Sequence, residues 1–192
     1  GILRPREQWA AVDVATHAFG QGVAVTALHM VRAVSAIANG GELPKLHVLA
    51  GGGASQPVRV LSEETAAAVR EMMYAVVEDK HGTGKKGAIG GVRVGGKTGT
   101  AQKARRNGRG YAPGLYIASF LGFADPSEIG LSERLALIVV IDEPRAGSIY
   151  GGTVAAPVFQ RIMKRVLYLL ATRHQLRTPL EQQENSQEET LD

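Results

Sequence analysis

The 192-residue chain has no cysteine. Disulfides and thiolate metal sites are therefore excluded, while the redox compartment stays open. Its five histidines (His17, His29, His47, His81 and His174) form neither an H-E-x-x-H pattern nor a close pair, so no metal site is indicated. Aromatic residues are only 5% of the chain and are scattered, which argues against a base-stacking nucleic-acid face. No apolar run approaches the roughly 18 residues of a membrane helix, and no signal-peptide pattern opens the sequence. The abrupt start at Gly1 is what a fragment would show, with any targeting segment upstream.

What is present suits one globular domain. Hydrophobic residues make up 44% and charged residues 21%, with a formal net charge of +4. Five of the 18 acids fall in Glu181–Asp192, which has no Lys or Arg, so the rest of the chain is clearly basic. That surplus is scattered and reads as a solvated surface. The 24 glycines fit several turns and a close ligand approach.

The densest chemistry lies in Gly91-Val92-Arg93-Val94-Gly95-Gly96-Lys97-Thr98-Gly99-Thr100-Ala101-Gln102-Lys103. Gly91, Gly96, Lys97 and Thr98 satisfy the G-x-x-x-x-G-K-[ST] pattern of a phosphate loop. The flanks oppose that reading. A phosphate loop follows a buried strand and opens a helix at its lysine, whereas Lys85–Gly90 is no apolar strand and Gly99-Thr100 is a poor helix start. Val92-Arg93-Val94 alternates as a strand does. Lys97-Thr98-Gly99 instead matches the Lys-Thr-Gly element of penicillin-recognising serine acyltransferases. On an edge strand beside a cleft, a backbone N–H can serve a developing oxyanion. Lys97 supplies a positive charge there, the Thr98 and Thr100 hydroxyls suit a carboxylate, and Gly99 lets an extended ligand approach the backbone. No nucleophile is supplied.

Around this stretch, the patterning predicts an α+β domain. Gly1–Gly22 reads as irregular, with Trp9 as a packing residue and a turn at Phe19–Gly22. Thr26 caps a mostly buried helix over Ala27–Asn39, with His29 at its wet edge. Gly40–Arg59 reads as loop with a short strand at Lys45–Leu49 and a flexible Gly51–Ser55 connection. Ser62 caps a second helix whose apolar stripe is Val69, Met72, Met73, Val76 and Val77. His81–Lys86 reads as a mobile basic loop. Strands are expected at Val92–Gln102, Tyr116–Ala124 and Leu135–Ile141, joined as an antiparallel meander. The run Leu135–Ile141 is apolar on both faces and is expected to be a covered central strand. Lys103–Gly114 and Asp142–Gly152 are expected loops. From about Ala156 a last helix carries the stripe Phe159, Ile162, Met163, Val166 and Leu170. Residues 1–170 are assigned to the domain and 171–192 to a polar tail expected to be disordered.

The motifs, in order, resemble the C-terminal half of the transpeptidase domain of class B penicillin-binding proteins, especially those of cell division. They are Phe19-Gly20-Gln21-Gly22 with Val25-Thr26, Ala36–Gly41, His81–Lys85, Gly96–Gln102, Ile117–Ala124, Val139–Pro144 and Tyr150–Phe159. The resemblance implies the penicillin-binding-protein/serine β-lactamase-like fold and D,D-transpeptidation of peptidoglycan. In that reaction a serine attacks a D-Ala-D-Ala stem peptide, and β-lactams trap the serine. It implies Lys97 and Thr100 as catalytic residues, with the Thr100 N–H as half of the oxyanion hole. Thr98, Gly99, Thr100 and Gln102 become substrate-binding residues, and no cofactor is needed. It further implies anchoring in the bacterial cytoplasmic membrane with the domain on the outer face, and division-complex membrane proteins as partners.

The family also uses Ser-x-x-Lys and Ser-x-Asn upstream of Lys-Thr-Gly, and neither occurs here. The sequence therefore predicts half an active site, inactive alone, completed by an N-terminal half that bears the serine. That half is expected to cover the outer edge of Leu135–Ile141. The alternative is a degenerate module that binds peptide or partner proteins without turnover.

Overall fold

The computed structural model describes residues 1, 4–18, 20–47, 56–105, 110–145 and 147–188, and side chains as far as Arg173. Its elements are α1 (Ala11–Ala18), α2 (Ala27–Ala38), β1 (Glu42–Leu43), β2 (Val58–Arg59), α3 (Glu63–Glu78), β3 (Arg93–Ala104), β4 (Tyr111–Asp125), β5 (Leu135–Asp142), α4 (Gly151–Val154) and α5 (Ala156–Glu188). Both expected caps form. Thr26 Oγ1 accepts from the His29 N–H at 3.2 Å, and Ser62 Oγ accepts from the Thr65 N–H at 3.1 Å. Each satisfies a donor that the first helical turn leaves unpaired.

The main sheet is antiparallel in the order β3-β4-β5, with Thr98 opposite Phe120 and Phe120 opposite Val139. Alternation sends Phe120 and Phe123 to opposite faces. On one face Phe120 joins Val94, Ala124 and Val139 under Phe159, Met163 and Leu167 of α5. On the other, Phe123 meets Val34 and Ala38 of α2 and Met73 and Tyr74 of α3. The sheet is thus the middle layer of a helix–sheet–helix sandwich, and the α+β expectation holds.

Several local expectations are corrected. The segment read as irregular contains α1, where Trp9 packs on His17 with ring centroids 4.4 Å apart. Lys45–His47 form no strand, and β1 pairs with β2 instead; Val48, Leu49 and Gly51–Ser55 lie outside the described residues, as do Phe19 and Arg106–Arg109. The strand β3 runs on to Ala104 and β4 starts at Tyr111, so the expected charged loop is shorter than its polarity suggested. His81–Lys86 is a hydrogen-bonded turn, entered by the Gly84 N–H to Val76 O bond and ending in a 3-10 turn at Lys85–Gly87.

The helix stripes rotate slightly from expectation. In α3 the buried residues are Ala66, Met73, Tyr74 and Val77, while Met72 is 66% exposed. In α5 they are Ala156, Phe159, Met163 and Leu167, while Ile162 and Val166 are exposed. One residue is about 100° of helix, so a face centred on Met73 or Met163 turns its preceding neighbour outward. Only the C-terminal half of α2 is buried; Leu28 and Met30 in its first turn are exposed. The backbone of α5 is helical to Glu188, across much of the segment assigned to the polar tail.

The central-strand expectation for Leu135–Ile141 is not met within this chain. Among the described residues β5 pairs only with β4 and is an edge. Its two apolar faces have another cause, since α2 covers one and α5 the other.

Arg134 staples three elements. It donates to Asp125 Oδ2 at 2.7 Å and to Ala38 O at 3.1 Å. Burial alone would raise the Asp125 pKa, but the bonds from Arg134 and Ser127 outweigh it and hold the carboxyl below its ordinary range. A depressed carboxyl pKa stabilises the fold above the unfolded-state value, and the gain disappears as pH falls through the folded value. Arg134→Met should therefore cost about 1–2 kcal/mol at neutral pH, the guanidinium being partly solvated. It should also flatten the acid side of the stability profile. Urea denaturation at stepped pH checks this, and parallel parent and variant curves below pH ~5 would refute it.

Candidate active site

The strand β3 is the opposite edge of the sheet, and the continuous strand over Arg93–Ala104 leaves no helix start at Lys97. This removes the phosphate-loop reading. Two rings shape the strand's first half. Phe120 lies against Gly84, Gly87 and Gly96, and Phe123 against Gly95, at separations that a Cβ on any of these glycines would violate or crowd. The glycine run is therefore a seat for two phenylalanines before it is anything catalytic.

Beyond that seat the pleat divides the motif. Thr98 and Thr100 lie on the Phe120 face. With Thr83, Lys85, Lys86 and Tyr150 they line a cavity of about 410 Å³. Thr83 Oγ1 and Thr98 Oγ1 are 3.0 Å apart. Thr100 Oγ1 accepts from the Gly151 N–H at 3.3 Å, which leaves its own O–H to donate to a ligand. The lining has two lysines, several hydroxyls and no acid, so it suits an anionic group such as a carboxylate.

Lys97 and Gly99 lie on the other face. The Lys97 ammonium is exposed and donates to Thr98 O at 2.9 Å, and it does not line the cavity. Gly99 has a packing reason as well, since a Cβ there would overlap Ser119 Oγ. Gln102 lines a different cavity of about 590 Å³, bounded by Gly20–Val25 and by the start of β4. The structure thus brings Thr98 and Thr100 together and separates them from Lys97, Gly99 and Gln102.

Sequence reasoning did not place Thr83, Lys85, Lys86 or Tyr150 in the site. The signal available was glycine next to them. Gly152 sits so close to Thr83 O that a Cβ would overlap it, and Gly151 is pressed equally onto Gly99 O and Ser119 O. Those contacts bring α4 against β3.

Two ion clusters flank the strand. At its start, Arg93 bridges Glu71 at 3.3 Å and Glu78 at 3.2 Å, with its guanidinium 3.8 Å from the centre of the Tyr74 ring. Donating hydrogen bonds to Glu78 and Glu71 raises the Arg93 pKa further. At its end, Lys103 bonds Asp142 at 2.8 Å and Glu143 at 2.7 Å, and these bonds raise the Lys103 pKa above the ordinary lysine range. Among the described residues no group of His, Asp or Glu is placed to hold a metal.

An edge strand carrying Lys-Thr-Gly beside a hydroxyl-lined cavity, in a helix–sheet–helix sandwich, matches one of the three motifs of the penicillin-recognising fold class. The chain belongs to the penicillin binding protein transpeptidase domain family, whose sequence profile matches residues 1–164. It is 41% identical over 170 residues to the probable peptidoglycan D,D-transpeptidase PenA of Neisseria gonorrhoeae, covering 88% of this chain and 28% of that protein. It is 38% identical over 167 residues to the peptidoglycan D,D-transpeptidase FtsI of Escherichia coli, covering 87% and 27%. The apo transpeptidase domain of penicillin-binding protein 3 from Burkholderia pseudomallei superposes with a TM-score of 0.74 at 38% identity. That match covers 88% of this chain and 50% of the solved one. The chain thus spans somewhat over a quarter of these curated relatives' length.

Proposed function

We propose that this chain supplies the Lys-Thr-Gly side of a serine D,D-transpeptidase that cross-links peptidoglycan. Thr98 and Thr100 hold the terminal carboxylate of a D-Ala-D-Ala stem peptide or the carboxylate of a β-lactam. The Thr100 N–H contributes to the oxyanion hole. Gly99 and Gln102 bound the path of the extended donor, and Lys97 tunes the field from the opposite face, where a serine-bearing segment would meet it. The serine oxygen attacks the penultimate D-Ala carbonyl, D-Ala leaves with a proton on its amine, and a stem-peptide amine then takes the acyl group and frees the serine.

The observation that carries this reading is the paired setting of Thr98 and Thr100. Their hydroxyls share one acid-free cavity, and the Gly151 N–H fills the acceptor side of Thr100. The chain contains no Ser-x-x-Lys or Ser-x-Asn, so the nucleophile comes from a segment outside it. The same segment covers the open edge of β5 and the exposed first turn of α2. Among the described residues no helix is long and apolar enough to cross a membrane; the anchor to the cytoplasmic membrane is part of the same proposal, as are division-complex partners on its outer face.

Labelling by a fluorescent penicillin tests it. The 192-residue chain alone should not label, and the transpeptidase domain restored with its serine-bearing half should. In the restored domain Thr98→Val and Thr100→Val should each slow acylation about 10- to 100-fold, the value of a hydrogen bond to a charged group worth about 1.5–3 kcal/mol. Labelling of the isolated chain would overturn the missing-serine account. Unchanged rates in both valine variants would overturn the carboxylate role.

A further inference from the structure

The Lys103 cluster lies outside the site described, yet it closes a ring through that site. Lys103 follows Thr100 by three residues on β3. It reaches across the middle strand to Asp142 and Glu143 at the end of β5. Glu143 is the one non-glycine residue with positive φ among those described, at 51°, and its N–H bonds Tyr116 O at 2.9 Å. A side chain rarely adopts that backbone conformation unless its surroundings hold it there. From Glu143 the chain runs through Pro144 to Tyr150 and Gly151. Tyr150 lines the cavity, and the Gly151 N–H returns to Thr100 Oγ1. The path Thr100, Lys103, Glu143, Gly151, Thr100 is thus closed by an ion pair at one end and a hydrogen bond at the other.

We propose that Lys103 is a positioning residue: its ion pairs with Asp142 and Glu143 fix the turn at Glu143 and so aim the Gly151 N–H at Thr100, keeping the Thr100 hydroxyl proton directed at a ligand carboxylate. The part that concerns the ligand rests on the function proposed above. The part that concerns the Gly151 N–H does not.

The ion pair is the only one of the ring's two closures that can be removed without touching the cavity. Lys103 itself lines the second cavity and not the one bounded by Thr98 and Thr100. A bystander surface pair is commonly worth little, so its loss would leave both the cavity and the amide undisturbed. A merely stabilising pair would lower the melting temperature and slow every acylation alike. A positioning pair acts selectively on ligands that present a carboxylate.

The test compares Lys103→Met, Lys103→Arg and the swap Lys103→Glu with Glu143→Lys, each in the restored domain. The readouts are acylation by a penicillin, acylation by its methyl ester, and hydrogen exchange at the Gly151 amide. Lys103→Met should slow the free acid about tenfold and the ester less than about twofold, and speed exchange at Gly151 about tenfold; tenfold corresponds to the loss of one modest hydrogen-bonded contact. Lys103→Arg and the charge swap should restore most of each effect. Equal slowing of acid and ester, or unaltered exchange at Gly151 in Lys103→Met, would overturn the proposal. If the unsubstituted domain fails to take penicillin at all, the transpeptidase reading fails. The amide exchange alone then decides whether the tie holds Gly151.

Discussion

Phe120→Ala is expected to destabilise the fold by about 3–5 kcal/mol, the usual cost of emptying a buried aromatic site. Phe120 is fully buried, and its ring meets Phe159 edge-on with centroids 4.8 Å apart. It also forms the lid over Gly84, Gly87 and Gly96. The site cannot collapse easily. Its floor is backbone from the turn before β3 and from β3 itself, so filling the void means moving the strand that bears Thr98 and Thr100. The urea midpoint should fall accordingly, and in the restored domain penicillin acylation should slow even under conditions where the variant stays folded. Phe120→Leu keeps most of the volume and should lose less than half as much stability. An alanine variant with an unshifted midpoint would mean that the ring is not the keystone of this face.

Gly151→Ala is expected to act on the site more directly than on the core. The added methyl would overlap the carbonyl oxygens of Ser119 and Gly99, both backbone atoms of paired strands. Neither can rotate away as a side chain would. α4 must therefore lift from β3, at about 1–3 kcal/mol of overpacking cost, and the Gly151 N–H leaves Thr100 Oγ1. Acylation in the restored domain should fall at least about fivefold, since a contact worth at least about 1 kcal/mol at the carboxylate is lost together with its geometry. Gly147→Ala is a useful control: it lies in the same connection with nothing near its Cβ position, although its φ of 75° makes that change strained. Gly151→Ala acylating at the parental rate would show that α4 does not hold Thr100.

The sequence made the sandwich and the Lys-Thr-Gly strand legible because both are periodic or punctuated. Ser62 announced α3, the alternation Val92-Arg93-Val94 announced β3, and the break at Asp125-Pro126 closed β4. What could not be read was depth. Met72 and Ile162 are apolar and correctly spaced for a stripe, yet they face outward, because burial depends on which side the sheet lies. The apolar run Leu135–Ile141 was equally ambiguous. A strand between two strands and a strand between two helices demand the same composition, and only the second holds within this chain. The site was half legible. Thr98 and Thr100 follow from the motif, but Thr83 and Tyr150 reach the cavity through contacts of neighbouring glycines, which mark a close approach along the chain without naming its partner. Separation of Lys97 from the two threonines was implicit in strand parity and follows once β3 is known to be unbroken.

That parity has an evolutionary consequence. Because odd and even positions of the segment from Lys97 to Ala101 serve different sides of one ribbon, exchanging a residue alters one surface, whereas adding or deleting a single residue would trade the two surfaces wholesale. Variants that escape an antibiotic through this segment should thus arise by replacement at constant length, and indels should be confined to positions beyond Ala104.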